Sequence, residues 1–210
     1  MPAPARLVPL LDQFDFACTR LVQRLAGPFF DSGNGTDLEL APMTDAEYLW
    51  EPFPGCWSVR RHADGPGSRA DLLIGAGEWG RDGAPQHPTP PPFTTIAWRL
   101  SHLSELLTLR ADHTAGDHKL SRDDFTTPGD AVGAVAAFQA AAGAWRSALR
   151  SVEDDAVLDT VGVSTYPYGS DPEDPFVETV WWANQEVLHH SAEIALLRDL
   201  YRETGPGSGI

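Results

Sequence analysis

At 210 residues with 42% hydrophobic content, the chain is long enough to bury a sizeable core, most simply as one domain spanning residues 1–210. A formal net charge of −15 excludes the basic face that nucleic acid requires, and no run of about 18 apolar residues is present to span a bilayer. The only two cysteines, Cys18 and Cys56, make no disulfide framework.

The N-terminal stretch MPAPARLVPLLDQFD lacks the basic start and long apolar core of a signal peptide, so the expected location is cytoplasmic. The first helix is predicted over about Pro4 to Ala26, where Leu11, Phe14, Cys18, Leu21 and Leu25 recur at helical spacing before Gly27-Pro28. A short helix follows at Thr44, which forms a capping-box pattern with Glu47. The segment from Phe53 to Pro92 is rich in Gly and Pro, and Trp57–Arg61 and Ala70–Ile74 within it have the character of short pairing strands. A second long helix is predicted from about Thr94 to Asp112. The third starts at Thr127-Pro128, an N-cap followed by Pro at the first helical position, and runs to about Val152. After the acidic DPEDP stretch, the fourth spans about Glu173 to Glu203. The predicted fold is an all-α, up-down four-helix bundle with a long irregular excursion between the first and second long helices, packed over one end.

The last helix carries the most informative residues. Neighbouring helix positions lie about 100° apart, so His189 and His190 cannot share a face. Ala183, Glu186, Val187, Ile194, Leu197 and Tyr201 all fall within about 60° of His190, which places His190 and Glu186 on the apolar stripe that packs inward. A buried carboxylate is costly unless it is paired, protonated or bound to a cation. In the second long helix His102 is likewise central to an apolar stripe, with Thr95, Trp98, Leu106 and Leu109. Taken singly, His102 reads as a hydrogen-bonded core residue and Glu186 as a salt-bridge partner. Together they supply imidazole and carboxylate donors suited to Zn²⁺, Ni²⁺ or Fe²⁺, and three protein ligands leave positions open for chemistry.

Three segments carry a resemblance to a known family: EYLWEPFPGCWSVR, PPFTTIAWRLSHL and EVLHHSAEIALLRDLY. The chain resembles the DinB-like superfamily of four-helix metal proteins, whose relatives include mycothiol-dependent maleylpyruvate isomerases and bacillithiol S-transferases. The resemblance implies metal ligands at His102, Glu186 and His190. Many members have histidine first in the last-helix pair; the mycothiol-dependent branch has glutamate, as here. It also implies a homodimer, and an activity in which a divalent metal, zinc before nickel or iron, activates a low-molecular-weight thiol against an electrophile. Lys119 is the single lysine among 15 basic residues, a bias that fits a GC-rich actinobacterial genome, where mycothiol is the thiol.

Metal-activated water, giving a hydrolase, uses the same ligands. A ligand-binding or scaffolding bundle without turnover is the reading from another class. Glu193, three residues after His190, is placed either to orient that ligand or to edge the surface. His113 reads as bordering the site or as a solvated helix end, and His189 as a flank residue. Trp98, Trp181 and Trp182 read as core or interface. Cys18 reads as core and Cys56 as part of a turn, so neither is expected to be a nucleophile.

Overall fold

A computed structural model describes residues 3–27, 29–31, 38–86, 88–165 and 173–206. Four long helices dominate: α1 (Val8–Ala26), α3 (Ile96–Ala115), α4 (Ala131–Arg150) and α5 (Phe176–Thr204), with a four-residue α2 (Asp45–Tyr48) after the first. Their apolar stripes meet in one core containing Phe14, Leu21, Leu107, Phe138, Trp145 and Val187. Burying each such side chain contributes about 1.5–3 kcal/mol, which is what holds amphipathic helices together in water.

The direction of each helix follows from its cross-helix contacts. Asn184 Nδ2 donates to the Leu10 carbonyl at 2.8 Å, and Arg198 donates to the Arg24 carbonyl, so α1 and α5 run parallel and in step. Asp15 pairs with Arg146, and Cys18 and Val22 lie near Phe138 and Ala142, so α4 is antiparallel to α1. His102 meets Glu186 while Arg99 meets Glu193, so α3 is antiparallel to α5. The bundle is therefore ordered up, down, down, up. The parallel pair α3 and α4 needs a long return, which residues 116–130 provide. Asp112 turns the chain at the end of α3 by accepting from the main-chain nitrogens of Asp117, Lys119 and Leu120 at 3.1, 2.8 and 3.0 Å. Arg122 then meets Glu105 at 2.8 Å, halfway back along the helix.

The excursion is more ordered than its composition suggests. Strands β3 (Val59–Arg61) and β4 (Leu72–Ile74) do not pair with each other; both pair antiparallel with β5 (Trp79–Gly83) between them. The sequence of β5, WGRDG, has no alternating apolar pattern. Glycine is required at position 80, where a Cβ would stand 2.8 Å from His62 Nε2 and from the Leu73 Cβ. Buried Asp82 fastens the sheet by accepting from Ser58 N at 2.9 Å, Gly67 N at 2.8 Å and Arg60 Nε at 2.8 Å. Thr95 N then bonds to the Trp57 carbonyl at 3.0 Å, and the Thr95 hydroxyl caps α3 by accepting from Trp98 N at 3.2 Å. The sheet thus sits against the start of α3. Two further short strands, β1 (Phe29–Asp31) and β2 (Leu38–Leu40), form a separate antiparallel pair.

All four long helices start later than the sequence reading placed them: α1 begins at Val8 rather than Pro4 and α3 at Ile96 rather than Thr94, and the other two follow the same way. Helix α4 begins at Ala131, not at Thr127-Pro128, because Asp130 caps it by accepting from Gly133 N at 2.7 Å. Residues 128–131 are committed elsewhere: Tyr48 donates to the Pro128 carbonyl at 2.9 Å, and Ala131 N donates to Asp45 at 2.9 Å. Helix α5 begins at Phe176; Glu173 and Asp174 are exposed ahead of it, and Asp171 and Pro172 lie outside the described residues. Thr44 does cap α2, but Glu47 does not close the capping box. Its carboxylate turns inward and accepts from buried Arg198 on α5 at 2.6 and 3.1 Å, while Arg198 also reaches the Ala41 carbonyl at 2.9 Å.

Among the described residues no helix is long and apolar enough to cross a membrane. The Glu47–Arg198 pair yields a direct test of packing. Glu47→Ala or Arg198→Ala leaves one buried charge uncompensated and should cost about 3–5 kcal/mol in urea unfolding. The double substitution Glu47→Leu, Arg198→Met should cost less than either single change.

Candidate metal centre

Three side chains that the sequence placed on inward stripes meet between α3 and α5. His102 Nε2 lies 3.1 Å from Glu186 Oε2, and His190 Nε2 lies 3.4 Å from the same oxygen. One ligand atom from each of His102, Glu186 and His190 lies within 4.8 Å of the others, the separation expected of donors around a single ion. The two imidazoles meet edge to face, with centroids 5.1 Å apart at 89°. His189, one position along, is exposed and takes no part.

The electrostatics favour donors over acids. Burial pushes the His102 imidazole down to about 4, against a partial upward pull from the Glu186 hydrogen bond, so the ring is neutral at pH 7. Burial alone would raise the Glu186 carboxyl, but hydrogen bonds from His102 and His190 outweigh it and hold the group well below the usual carboxylate range. An ionised carboxylate beside a neutral imidazole is the protonation pattern a divalent cation needs.

The surroundings orient the rings unequally. His190 Nδ1 lies 2.7 Å from Glu193 Oε2, a contact that holds the ring with Nε2 facing the cluster. Arg99 completes this arrangement from α3: its guanidinium binds Glu193 and lies 3.0 Å from His190 Nδ1. Burial lowers the Arg99 pKa to about 10, which still leaves it charged at neutral pH. Among the described residues His102 has no such partner; its Nδ1 is buried without a hydrogen bond. The ring is held instead by stacking on Trp98, with centroids 5.1 Å apart and planes 22° from parallel. Trp98 is itself fixed from the sheet side. Its Nε1 donates to the Asp82 carbonyl at 2.8 Å, and the Arg81 guanidinium lies 4.9 Å over its ring. Buried Arg81 pairs with Glu105 at 2.5 Å, and Glu105 also meets Arg122 from the return segment.

Glu193 therefore contacts the cluster as one of the two sequence readings held. His113 does not: it lies eleven residues, or about 16 Å, along α3 from His102 and bonds to the Leu120 carbonyl at 2.8 Å. Trp182 is partly buried under Arg110, while Trp181 is exposed. Cys18 is buried in the core, where desolvation pushes its thiol up to about 12, and Cys56 is buried with Sγ 3.0 Å from the Phe53 carbonyl. Neither is a thiolate at neutral pH. The sequence reading did not include Arg99, Arg81, Glu105 or Arg122. Position alone would have drawn notice to Arg99, which stands three residues before His102 in an otherwise apolar helix start.

This constellation, on a four-helix bundle with a short sheet at one end, defines a class. The DinB superfamily matches residues 34–194, and the chain belongs to that family. No curated protein and no solved structure matches it.

The His102 and Glu186 shifts have a measurable consequence in the metal-free protein. The unfolded chain takes a proton on His102 near pH 6.5, whereas the folded chain takes it only near pH 4. Unfolding is therefore coupled to proton uptake in that window, and this histidine should remove on the order of 3 kcal/mol of stability as pH falls from 6.5 to 4. Glu186, with its folded pKa below the unfolded 4.5, adds a further loss as pH drops below that value. His102→Asn should flatten the upper part of this dependence in urea titrations between pH 7 and pH 4.5.

Proposed function

We propose that His102, Glu186 and His190 hold one divalent metal ion, zinc before nickel or iron, and that the protein is a metal-dependent thiol S-transferase of the mycothiol-using type. The observation that carries the reading is the convergence of three donor atoms from α3 and α5 on one point. Two imidazoles and a carboxylate suit these ions, and three protein ligands leave positions open for an exchangeable group. An ion held there lowers the pKa of a bound thiol or water and so supplies a nucleophile at neutral pH.

The chain's own residues then divide the remaining tasks. Glu193 and Arg99 keep His190 in the orientation that presents Nε2, and Trp98 keeps the His102 ring in place. The neighbouring carboxylate Glu193 is engaged by both Arg99 and His190, which leaves it poorly suited to act as a general base. That favours a thiol, whose own acidity suffices, over water. Glutamate at position 186 supports the mycothiol-using branch. The electrophile is a small molecule taken in solution, and neither protein cysteine forms a bond to it.

Metal content separates the reading from a purely structural cluster. After exposure to Zn²⁺ and desalting, the unmodified chain and His189→Ala should retain about one ion per chain, whereas His190→Ala and His102→Ala should retain none. Equal content in all four proteins would refute the site. With zinc bound, consumption of electrophiles should require added mycothiol and fall by at least about 100-fold in His190→Ala. Ester or amide cleavage without thiol would point to hydrolysis instead.

A further inference from the structure

The two histidines of the cluster stand in the same local sequence frame. Glu105 follows His102 by three positions on α3, as Glu193 follows His190 on α5. On a helix that spacing puts the carboxylate beside the ring, one turn on. Helix α5 shows that the reach suffices, since Glu193 Oε2 lies 2.7 Å from His190 Nδ1. On α3, among the described residues, the matching atom His102 Nδ1 is buried without a hydrogen bond, although Glu105 is buried too. The difference lies in what holds the carboxylate. One oxygen of Glu105 accepts from Arg81 Nη2 at 2.5 Å and the other from Arg122 Nε at 2.8 Å. A neutral ring N–H competes poorly with two guanidinium groups, whose charge-assisted bonds are about twice as strong. Neither arginine can take the carboxylate's place at a protonated Nδ1, because a guanidinium only donates.

We propose that Arg122 is a positioning residue of the metal site: it keeps Glu105 away from His102 and so makes the two histidines unequal ligands. The proposal rests on the metal reading given above. A histidine that coordinates through Nε2 carries its proton on Nδ1, and a carboxylate accepting from that nitrogen makes the ring a stronger donor. Glu193 is placed to do this for His190, whereas Glu105 is engaged elsewhere. The weaker ring of His102 leaves more of a bound cation's charge for the open position, where a thiol has to lose its proton. The fold brings Arg122 to this task from outside α3. Its segment is anchored before it, where Asp112 accepts from Lys119 N and Leu120 N, and after it, where Ala76 N donates to the Phe125 carbonyl at 2.8 Å. Arg81 also lies over the Trp98 ring that backs His102, so Arg122 is the arginine that can be changed without disturbing that stack. Its side chain is 23% exposed, and its loss leaves Glu105 still paired with Arg81.

A role in packing alone and the withholding role predict opposite signs. Zinc affinity of the full chain is read by competition with a chromophoric chelator at about pH 7.5. Arg122→Met should tighten zinc about 10-fold, because Glu105 is then free to turn to His102 and such a partner is worth about 10–100-fold in affinity. Arg122→Lys keeps a cation on Glu105 and should stay within about threefold of the unmodified chain. Glu193→Gln takes the carboxylate from His190 and should loosen zinc by about 10-fold or more. The zinc-loaded proteins also carry a signature that packing would not produce. Nitrogen-edited NMR should show a downfield, hydrogen-bonded Nδ1–H for His190 in all but Glu193→Gln, and a second one, for His102, in Arg122→Met alone. Should Arg122→Met lose its helical circular dichroism, Arg122→Ala takes its place. Zinc affinity in that variant equal to or weaker than in the unmodified chain overturns the proposal, as does a hydrogen-bonded His102 Nδ1–H already present in the unmodified chain. An unmodified chain that binds no zinc overturns the metal reading and the proposal together, whereas zinc bound with another order among the variants overturns the proposal alone.

Discussion

The carboxylate of Glu186 is the constraint around which the site is organised. An ionised acid on the inward stripe of a helix is tolerated only where opposing polar groups meet it, and here the Nε2 atoms of His102 and His190 stand 3.1 and 3.4 Å from one of its oxygens. To bring His102 to that oxygen, α3 must cross α5 in the antiparallel sense at the level of residues 186 to 193. That crossing in turn requires the sheet to support the start of α3, because Trp98, which backs His102, is fixed to Asp82 and Arg81.

Buried charge recurs as an organising device elsewhere. Glu47 and Arg198 tie α2 to α5, Glu105 is held between Arg81 and Arg122, and Asp82 gathers three donors from β3 and its loop. Such pairs contribute less to net stability than apolar packing of the same volume would, but each is intolerant of a missing partner. They act here as registers: Arg122 aligns the return segment beside α3, and Arg198 aligns α5 beside α1 and α2. The parallel pairing of α3 with α4 depends on that return segment, since helices joined by a short loop would have to alternate in direction.

Helix α5 serves two faces at once. Its inward side presents Glu186 and His190, and its outward side carries the exposed line through Trp181 and Leu188. This division explains why the helix as a whole is only weakly amphipathic although each part of it has a definite orientation. It also explains the adjacent histidines. His190 points to the cluster, and His189, about 100° away, points to the solvent flank.

Helix positions, the inward stripes and the three candidate ligands were legible in the sequence, because period 3.6 is a local property and a titratable residue inside an apolar stripe is conspicuous by itself. The strand β5 was not legible: WGRDG has no alternation, and its pairing depends on β3 and β4 lying on either side. The start of α4 was misplaced because Thr127-Pro128 satisfies the local capping rule, whereas Tyr48 and Asp45, distant in sequence, engage the chain there. Arg99, Arg81 and Arg198 escaped notice for the same reason, since a buried arginine looks like a surface one until its partner from another element is known. The sequence by itself determined which residues face inward and which of them could bind a cation. Only the tertiary structure decided that their atoms meet at one point, because distance between side chains on different helices is set by crossing geometry and long return segments, neither of which leaves a local periodic signal.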